Sequence, residues 1–160
     1  MIIIQFSATR GPLSRLIRFF TWSEFSHVDV VLSSDFLLGA QWDGVKVRPP
    51  DYQAFSKTVR YTITLNAEVE QEVMAFLYAQ LGKPYDKVAI FSFPFRKDWQ
   101  DDGKWFCSEL VAAAFAQAGV PLVHEAKNRI TPRDLTLSPL LTLVTTEAPT
   151  PSAALRVYCK

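Results

Sequence analysis

The sequence has few of the residues from which most metal and nucleotide sites are built. Its 160 residues include only two cysteines, two histidines and six glycines. These residues do not follow the spacing of a zinc site, a glycine-rich phosphate loop or a dinucleotide-binding fingerprint. We therefore expect neither a metal ion nor an organic cofactor. Cys107 and Cys159 are expected to be free thiols in a reducing compartment, since no secretory signal accompanies them.

An excess of charge of either sign is also missing. Seventeen lysines and arginines stand against sixteen aspartates and glutamates, which gives a formal net charge of +1. Nucleic-acid binding is usually accompanied by a basic excess, and a solvating tail by an acidic one. We therefore expect no nucleic-acid partner.

Long apolar runs are absent as well. A membrane-spanning helix needs about 20 consecutive apolar residues, and no segment approaches that length. Residues 1–6 are apolar, but the polar residues Thr9 and Arg10 follow at once, which favours a strand over a signal peptide. The expected location is the cytoplasm, with a host or a phage origin equally open.

What the chain does have is apolar residues in regular patterns. They make up 49 % of it, including 12 Phe and 4 Trp, so we expect one domain with one core over residues 1–160. The patterns lack regular βαβ alternation and predict an α+β fold with a mostly antiparallel sheet packed against helices. The predicted strands are 2–7, 26–32, 36–42, 45–47, 58–65, 140–145 and 154–158; the predicted helices are 13–22, 67–81 (N-cap Asn66) and 107–118, with a helix start at 131–135.

The helix predicted over 13–22 combines apolar and basic residues. We favour an amphipathic helix whose apolar face packs against the rest of the protein, and a helix lying on a membrane surface is the alternative. The predicted apolar face carries Leu13, Leu16, Ile17 and Phe20, with Arg15 and Arg18 elsewhere.

Cys107 opens the most apolar of the predicted helices. At a helix start the backbone N–H groups lack intrahelical partners and the dipole is positive, which favours a thiolate and could hold an oxyanion. A lone cysteine is otherwise most often a small buried hydrophobe. Of the two histidines, His124 lies in a loop predicted to be at the surface, whereas His27 is mounted on a strand. His27 is therefore the candidate base for a Cys–His pair.

Three segments of the chain together resemble the permuted NlpC-like hydrolases, in particular the YiiX-like group, which is distantly similar to the lecithin:retinol acyltransferase family. The resemblance implies a circularly permuted papain-like fold in which the histidine precedes the cysteine. It also implies a cysteine hydrolase with Cys107 as nucleophile and His27 as base. The matching segments are Ser26-His27-Val28, Gly82-Lys83-Pro84-Tyr85-Asp86 and Phe106-Cys107-Ser108-Glu109-Leu110-Val111, and residues 131–139 resemble the family's closing motif.

The third catalytic position departs from this family, which usually places a glutamate on the strand after the histidine strand. Gly39 occupies that place here. Gln41 lies two residues further on the same face, and its amide oxygen could orient the imidazole. Asp29, one pleat from His27, is the alternative. We favour Gln41, and a bare Cys–His dyad remains open.

Two further groups of residues have a plainer interpretation. Tyr85 and Asp86 match a motif that shapes the pocket in the family, although a turn with a packed ring explains them as well. Asp98, Asp101 and Asp102 do not complete a calcium-loop pattern and indicate a solvated loop.

These residues predict acyl transfer through a thioester on Cys107. The expected substrates are amides or esters of a small molecule, a peptide or a lipid, as in an amidase, a peptidase or an esterase. An acyltransferase differs only in the second nucleophile and is one alternative. A non-catalytic binding domain on the same scaffold is the other, because Gly39 replaces the expected glutamate.

Overall fold

A computed structural model describes residues 1–85, 104–123 and 130–144. Its strands form one six-stranded sheet in the order β4-β3-β2-β1-β5-β6, and every neighbouring pair is antiparallel. The strands are β1 (Ile2–Thr9), β2 (His27–Ser33), β3 (Phe36–Gln41), β4 (Gly44–Arg48), β5 (Phe55–Ile63) and β6 (Thr142–Leu143).

Four helices are present in the described ranges, and local sequence explains where they begin. Asn66 caps the second helix by accepting a hydrogen bond from the backbone N–H of Val69 at 2.8 Å. Thr131 and Asp134 form a capping box at the fourth. The helices are α1 (Pro12–Thr21), α2 (Ala67–Ala79), α3 (Cys107–Gln117) and α4 (Pro132–Thr136).

The hydrophobic core lies where α2 and α3 pack together and α3 packs on β2 and β3. Phe6, Val28 and Leu38 supply the sheet side of this core, and Leu110 and Phe115 supply the helix side. Across the parts of the chain described here, no helix is both long and apolar enough to cross a membrane.

The α+β class and the mostly antiparallel sheet are confirmed, and β2, β3 and β4 form a three-stranded meander. The strand predicted over 140–145 is only Thr142–Leu143, and β5 begins three residues earlier than predicted because it pairs with β1 as far as Thr9. The strand predicted over 154–158 lies outside the described residues.

The helix predicted over 13–22 is present, but only Leu13 and Ile17 of its predicted apolar face pack inward. Ile17 is buried, whereas Leu16 and Phe20 are exposed. The other residues buried on α1 are polar, namely Ser14 and Thr21. Apolar contacts of Ile17 and Leu13 therefore combine with the hydrogen bonds of Ser14 to Thr9 and Ser26 in holding α1 on the rest of the protein.

Candidate active site

Cys107 is the first residue of α3 and is completely buried. Phe106 precedes it in an extended conformation, and the backbone N–H of Phe106 donates to Glu109 Oε2 at 3.3 Å. The hydroxyl of Ser108 donates to the carbonyl of Ile130 at 2.6 Å, which fixes the start of the helix from the other side. The thiol thus sits at the positive end of an anchored helix.

His27 is the first residue of β2, and the fold brings it to Cys107. The imidazole forms hydrogen bonds with both Cys107 and Asp29. Its Nε2–H donates to Asp29 Oδ1 at 2.9 Å, which leaves Nδ1 as the ring nitrogen for the thiol. The Cys–His pair predicted from the sequence is therefore a contact in the structure.

The charge state of His27 follows from its neighbours. Burial alone would lower its pKa, since the protonated ring is the charged form. The negative charge of Asp29 and that of Cys107, with hydrogen bonds to both, outweigh burial and raise the pKa of His27 to about 10. These contacts favour the imidazolium form of His27 at neutral pH.

The orienting residue in the structure is Asp29, and the expectation that Gln41 would contact the imidazole is not met. Residues i and i+2 of a strand share a face, so Asp29 lies beside His27 on β2. The amide nitrogen of Gln41 instead donates to the hydroxyl of Tyr52 at 2.9 Å. That hydroxyl donates to Asp29 Oδ2 at 2.9 Å. Gln41 thus stands at the far end of a chain of hydrogen bonds that leads to the ring.

Gly39 leaves room for the carboxylate of Asp29. A Cβ at position 39 would lie 1.9 Å from Asp29 Oδ1 and 3.0 Å from its Cγ. No side chain can occupy that space while Asp29 stays in place. Gly39 on β3 thus leaves space for the carboxylate that the neighbouring strand β2 supplies.

Tyr52 was missed by the sequence analysis. Burial, followed by the charge of Asp29, raises the pKa of its hydroxyl, so it stays protonated and donates to the carboxylate. The guanidinium of Arg48 lies 5.5 Å from the ring centre, and Arg48 Nη1 donates to the carbonyl of Gly39 at 3.1 Å. No local motif marks Tyr52, because only the path of the chain after β4 brings it to Asp29.

A cleft of about 280 Å³ opens beside His27. Leu13 and Ile17 of α1 line one part of its wall, and Trp42 and Tyr85 line others. The Tyr85 ring also packs on Phe106, with 5.8 Å between ring centres. The cleft therefore joins an apolar wall to one polar group that can exchange a proton, as small-molecule sites commonly do.

The other candidate residues predicted from the sequence lie in segments that the structure does not describe. His124, Asp86, Cys159 and the acidic cluster formed by Asp98, Asp101 and Asp102 lie outside the described residues. Within the ranges that the structure does cover, no three His, Cys, Asp or Glu side chains are grouped so as to hold a metal ion.

Comparison with known proteins identifies a fold. No family model matches the sequence, and no curated protein matches it. Among solved structures, the crystal structure of the metalloprotein YiiX from Escherichia coli O157:H7 is similar, with a TM-score of 0.71 and 22 % sequence identity. The match covers 92 % of this chain and 97 % of that one. The chain thus shares the fold of YiiX over nearly its whole length.

Proposed function

We propose that this protein is a cysteine hydrolase that forms a thioester on Cys107. The observation that carries the proposal is the hydrogen-bonded series from Cys107 through His27 to Asp29, at the start of a helix and beside a cleft. A nucleophile, a base and a group that orients the base are the parts that acyl transfer needs. The proposed scaffold is a circularly permuted papain-like domain that comprises the whole chain.

In this mechanism the Cys107 thiolate attacks the carbonyl carbon of an amide or ester, and the carbonyl π electrons move to oxygen. Backbone N–H groups of the first turn of α3 stabilise the oxyanion. As the oxyanion collapses, the bond to the leaving nitrogen or oxygen breaks and the imidazolium of His27 donates its proton to that atom. Neutral His27 then takes a proton from water, which hydrolyses the thioester and restores the thiolate.

Asp29 and Tyr52 would prepare His27 for these two proton transfers. The carboxylate fixes the ring and stabilises the imidazolium, while the Tyr52 hydroxyl holds the carboxylate from its other oxygen. The replacement of the expected glutamate by Gly39 had favoured a non-catalytic binding domain. That argument loses its force because Asp29 supplies a carboxylate to the same ring.

The substrate would be an amide or ester of a small molecule, a peptide or a lipid. The apolar wall beside His27 suits an acyl group with apolar character. An acyltransferase would use the same residues with an alcohol or amine in place of water. A reducing compartment such as the cytoplasm suits a mechanism that depends on a free thiol.

Labelling with electrophilic amide and ester probes, read by mass spectrometry of the cysteine-containing peptides, tests the proposal. We expect acylation to be faster at Cys107 than at Cys159, because Cys107 has the His27 imidazole beside it. Replacing His27 with Ala should slow this labelling by roughly 100-fold or more. Labelling of Cys159 at the same rate as Cys107, or labelling of Cys107 unaffected by His27→Ala, would contradict a catalytic pair.

A further inference from the structure

Helix α1 packs with small polar residues inward. The Ser14 hydroxyl accepts a hydrogen bond from the Thr9 N–H at 3.1 Å and lies 2.7 Å from the Ser26 hydroxyl. Thr21 donates to the carbonyl of Ile17 at 2.8 Å. Apart from Ile17, the residues that α1 buries are these hydrogen-bonded ones. Ser14, Ile17 and the partly buried Leu13 thus attach the helix to the rest of the protein, and its other large apolar side chains lie outside the core.

Those large side chains face outward and form what we call the α1 apolar surface. Phe19 is 72 % exposed and Trp22 is 82 % exposed. Isolated exposed apolar residues are ordinary, but four within seven residues form a patch of the kind that marks an interaction site. The α1 apolar surface consists of Leu16, Phe19, Phe20 and Trp22.

The backbone at the end of α1 has an unusual conformation at Trp22. Trp22 has φ 51° and ψ 39°, in the left-handed region that usually takes glycine at a helix end. A bulky residue is disfavoured there by its Cβ. The fold tolerates this conformation at a residue whose indole contributes little to the core.

The charged residues of α1 and of the turn before it are all basic, and the first acidic residue, Glu24, is paired with Lys57. Arg10 and Arg15 are exposed, and Arg18 lies on the same helix. No aspartate or glutamate occurs among residues 1–23, although the whole chain is nearly neutral. Arginines beside outward Phe, Leu and Trp side chains are typical of helices that lie in the interface of an anionic membrane.

The same helix leads to the candidate active site. Leu13 and Ile17 of α1 line the cleft beside His27. Trp42, which is 63 % exposed, lines the cleft as well. A surface that received α1 would therefore lie next to the cleft opening.

We propose that α1 docks this protein on the surface of an anionic phospholipid membrane. The α1 apolar surface enters the boundary between headgroups and acyl chains, and Arg10 and Arg15 contact lipid phosphates. Indole and arginine side chains suit this depth because each combines an apolar part with a polar end. This inference goes beyond the proposed hydrolase activity and holds whether or not Cys107 is a nucleophile.

Vesicle co-sedimentation of the full chain carrying Cys107→Ala tests the docking without any turnover. Phosphatidylcholine vesicles are compared with vesicles that also contain phosphatidylglycerol, each at low and high salt. The patch variant is Phe19→Ser with Phe20→Ser. The matched control is Phe36→Ser, a half-exposed phenylalanine at the opposite end of β2 from His27.

We expect binding to the anionic vesicles that weakens at high salt and falls about tenfold or more in the patch variant. The Phe36→Ser control should bind like the parent. Absence of vesicle binding, or an equal loss in both variants, overturns the proposal. So does a dimer in sedimentation velocity that the patch variant converts to monomer, because the occupant of α1 would then be a second copy. A negative result for vesicle binding does not affect the labelling of Cys107. The docking proposal and the hydrolase proposal can therefore fail separately.

Discussion

The two sides of the cleft both depart from the usual distribution of side chains, in which polar groups face solvent and apolar groups are buried. On the β2 side, the polar residues His27, Asp29 and Tyr52 are largely removed from solvent and bonded to one another. On the α1 side, apolar residues such as Phe19 and Trp22 point into solvent. Proteins depart from the ordinary pattern mainly where a site requires it. The comparison indicates that the β2 side is suited to hold a charge and that the α1 side is suited to contact a partner outside the chain.

Among substitutions on the β2 side, we expect Asp29→Ala to lower the acylation rate most. Asp29→Ala removes the group that orients His27 and stabilises its imidazolium, so the acylation rate of Cys107 should fall by roughly 100-fold or more. Gln41→Ala removes only a donor to Tyr52 and should cost less than about tenfold. Single-turnover acylation with an ester probe measures both. A larger loss from Gln41→Ala would restore Gln41 as the orienting residue.

Much of this side could be predicted from sequence, and the missing part has a physical reason. Cys107 and His27 were identified because a helix start and a valine-rich strand are local patterns. The Asp29–Gly39 fit needs the pairing of two strands, and the Tyr52 contact needs the path of a loop, neither of which is local. On the α1 side, the periodicity gave the helix correctly. It could not show which residues of α1 the rest of the protein would bury, because that depends on contacts such as the hydrogen bonds of Ser14 with Thr9 and Ser26, which lie outside the helix.

The fit between Gly39 and Asp29 can be tested by a double-mutant cycle. Gly39→Ala places a methyl group in the space of the carboxylate, and overpacking of this kind costs about 1–3 kcal/mol in free energy of unfolding. In an Asp29→Ala background the clash is gone, so the same change should cost much less. Urea unfolding of the four proteins measures the coupling. Equal costs in both backgrounds would show that something other than Asp29 requires the glycine.

One substitution on each side of the cleft tests the contrast between the two sides through its effect on stability. Tyr52→Phe leaves Asp29 Oδ2 without its donor in a buried place and should cost about 1–3 kcal/mol of stability. Phe19→Ser deletes a whole ring but from an exposed position, so it should stay within about 0.5 kcal/mol of the parent. The urea midpoints of the two variants and of the parent measure these changes in stability. A large loss from Phe19→Ser would mean that α1 is held by its aromatic residues after all.

A further expected effect is the dependence of stability on pH through His27. Its pKa is raised in the folded protein from an ordinary value near 6.5 to about 10, because Asp29 and Cys107 outweigh burial. A folded state that holds a proton more tightly than the unfolded chain gains stability from it below the unfolded pKa. That contribution is complete below about pH 6.5 and is lost as the pH rises toward 10.

Comparison with His27→Gln measures the contribution of the imidazole together with its contacts to Asp29 and Cys107, because the titrating groups away from this site are common to both proteins. The stability of the parent relative to His27→Gln should be constant below about pH 6.5 and should decrease steadily between there and pH 10. Urea unfolding of both proteins at several pH values measures the difference. A difference that grows with pH would mean that His27 is neutral in the folded protein and that burial, rather than Asp29, sets its charge.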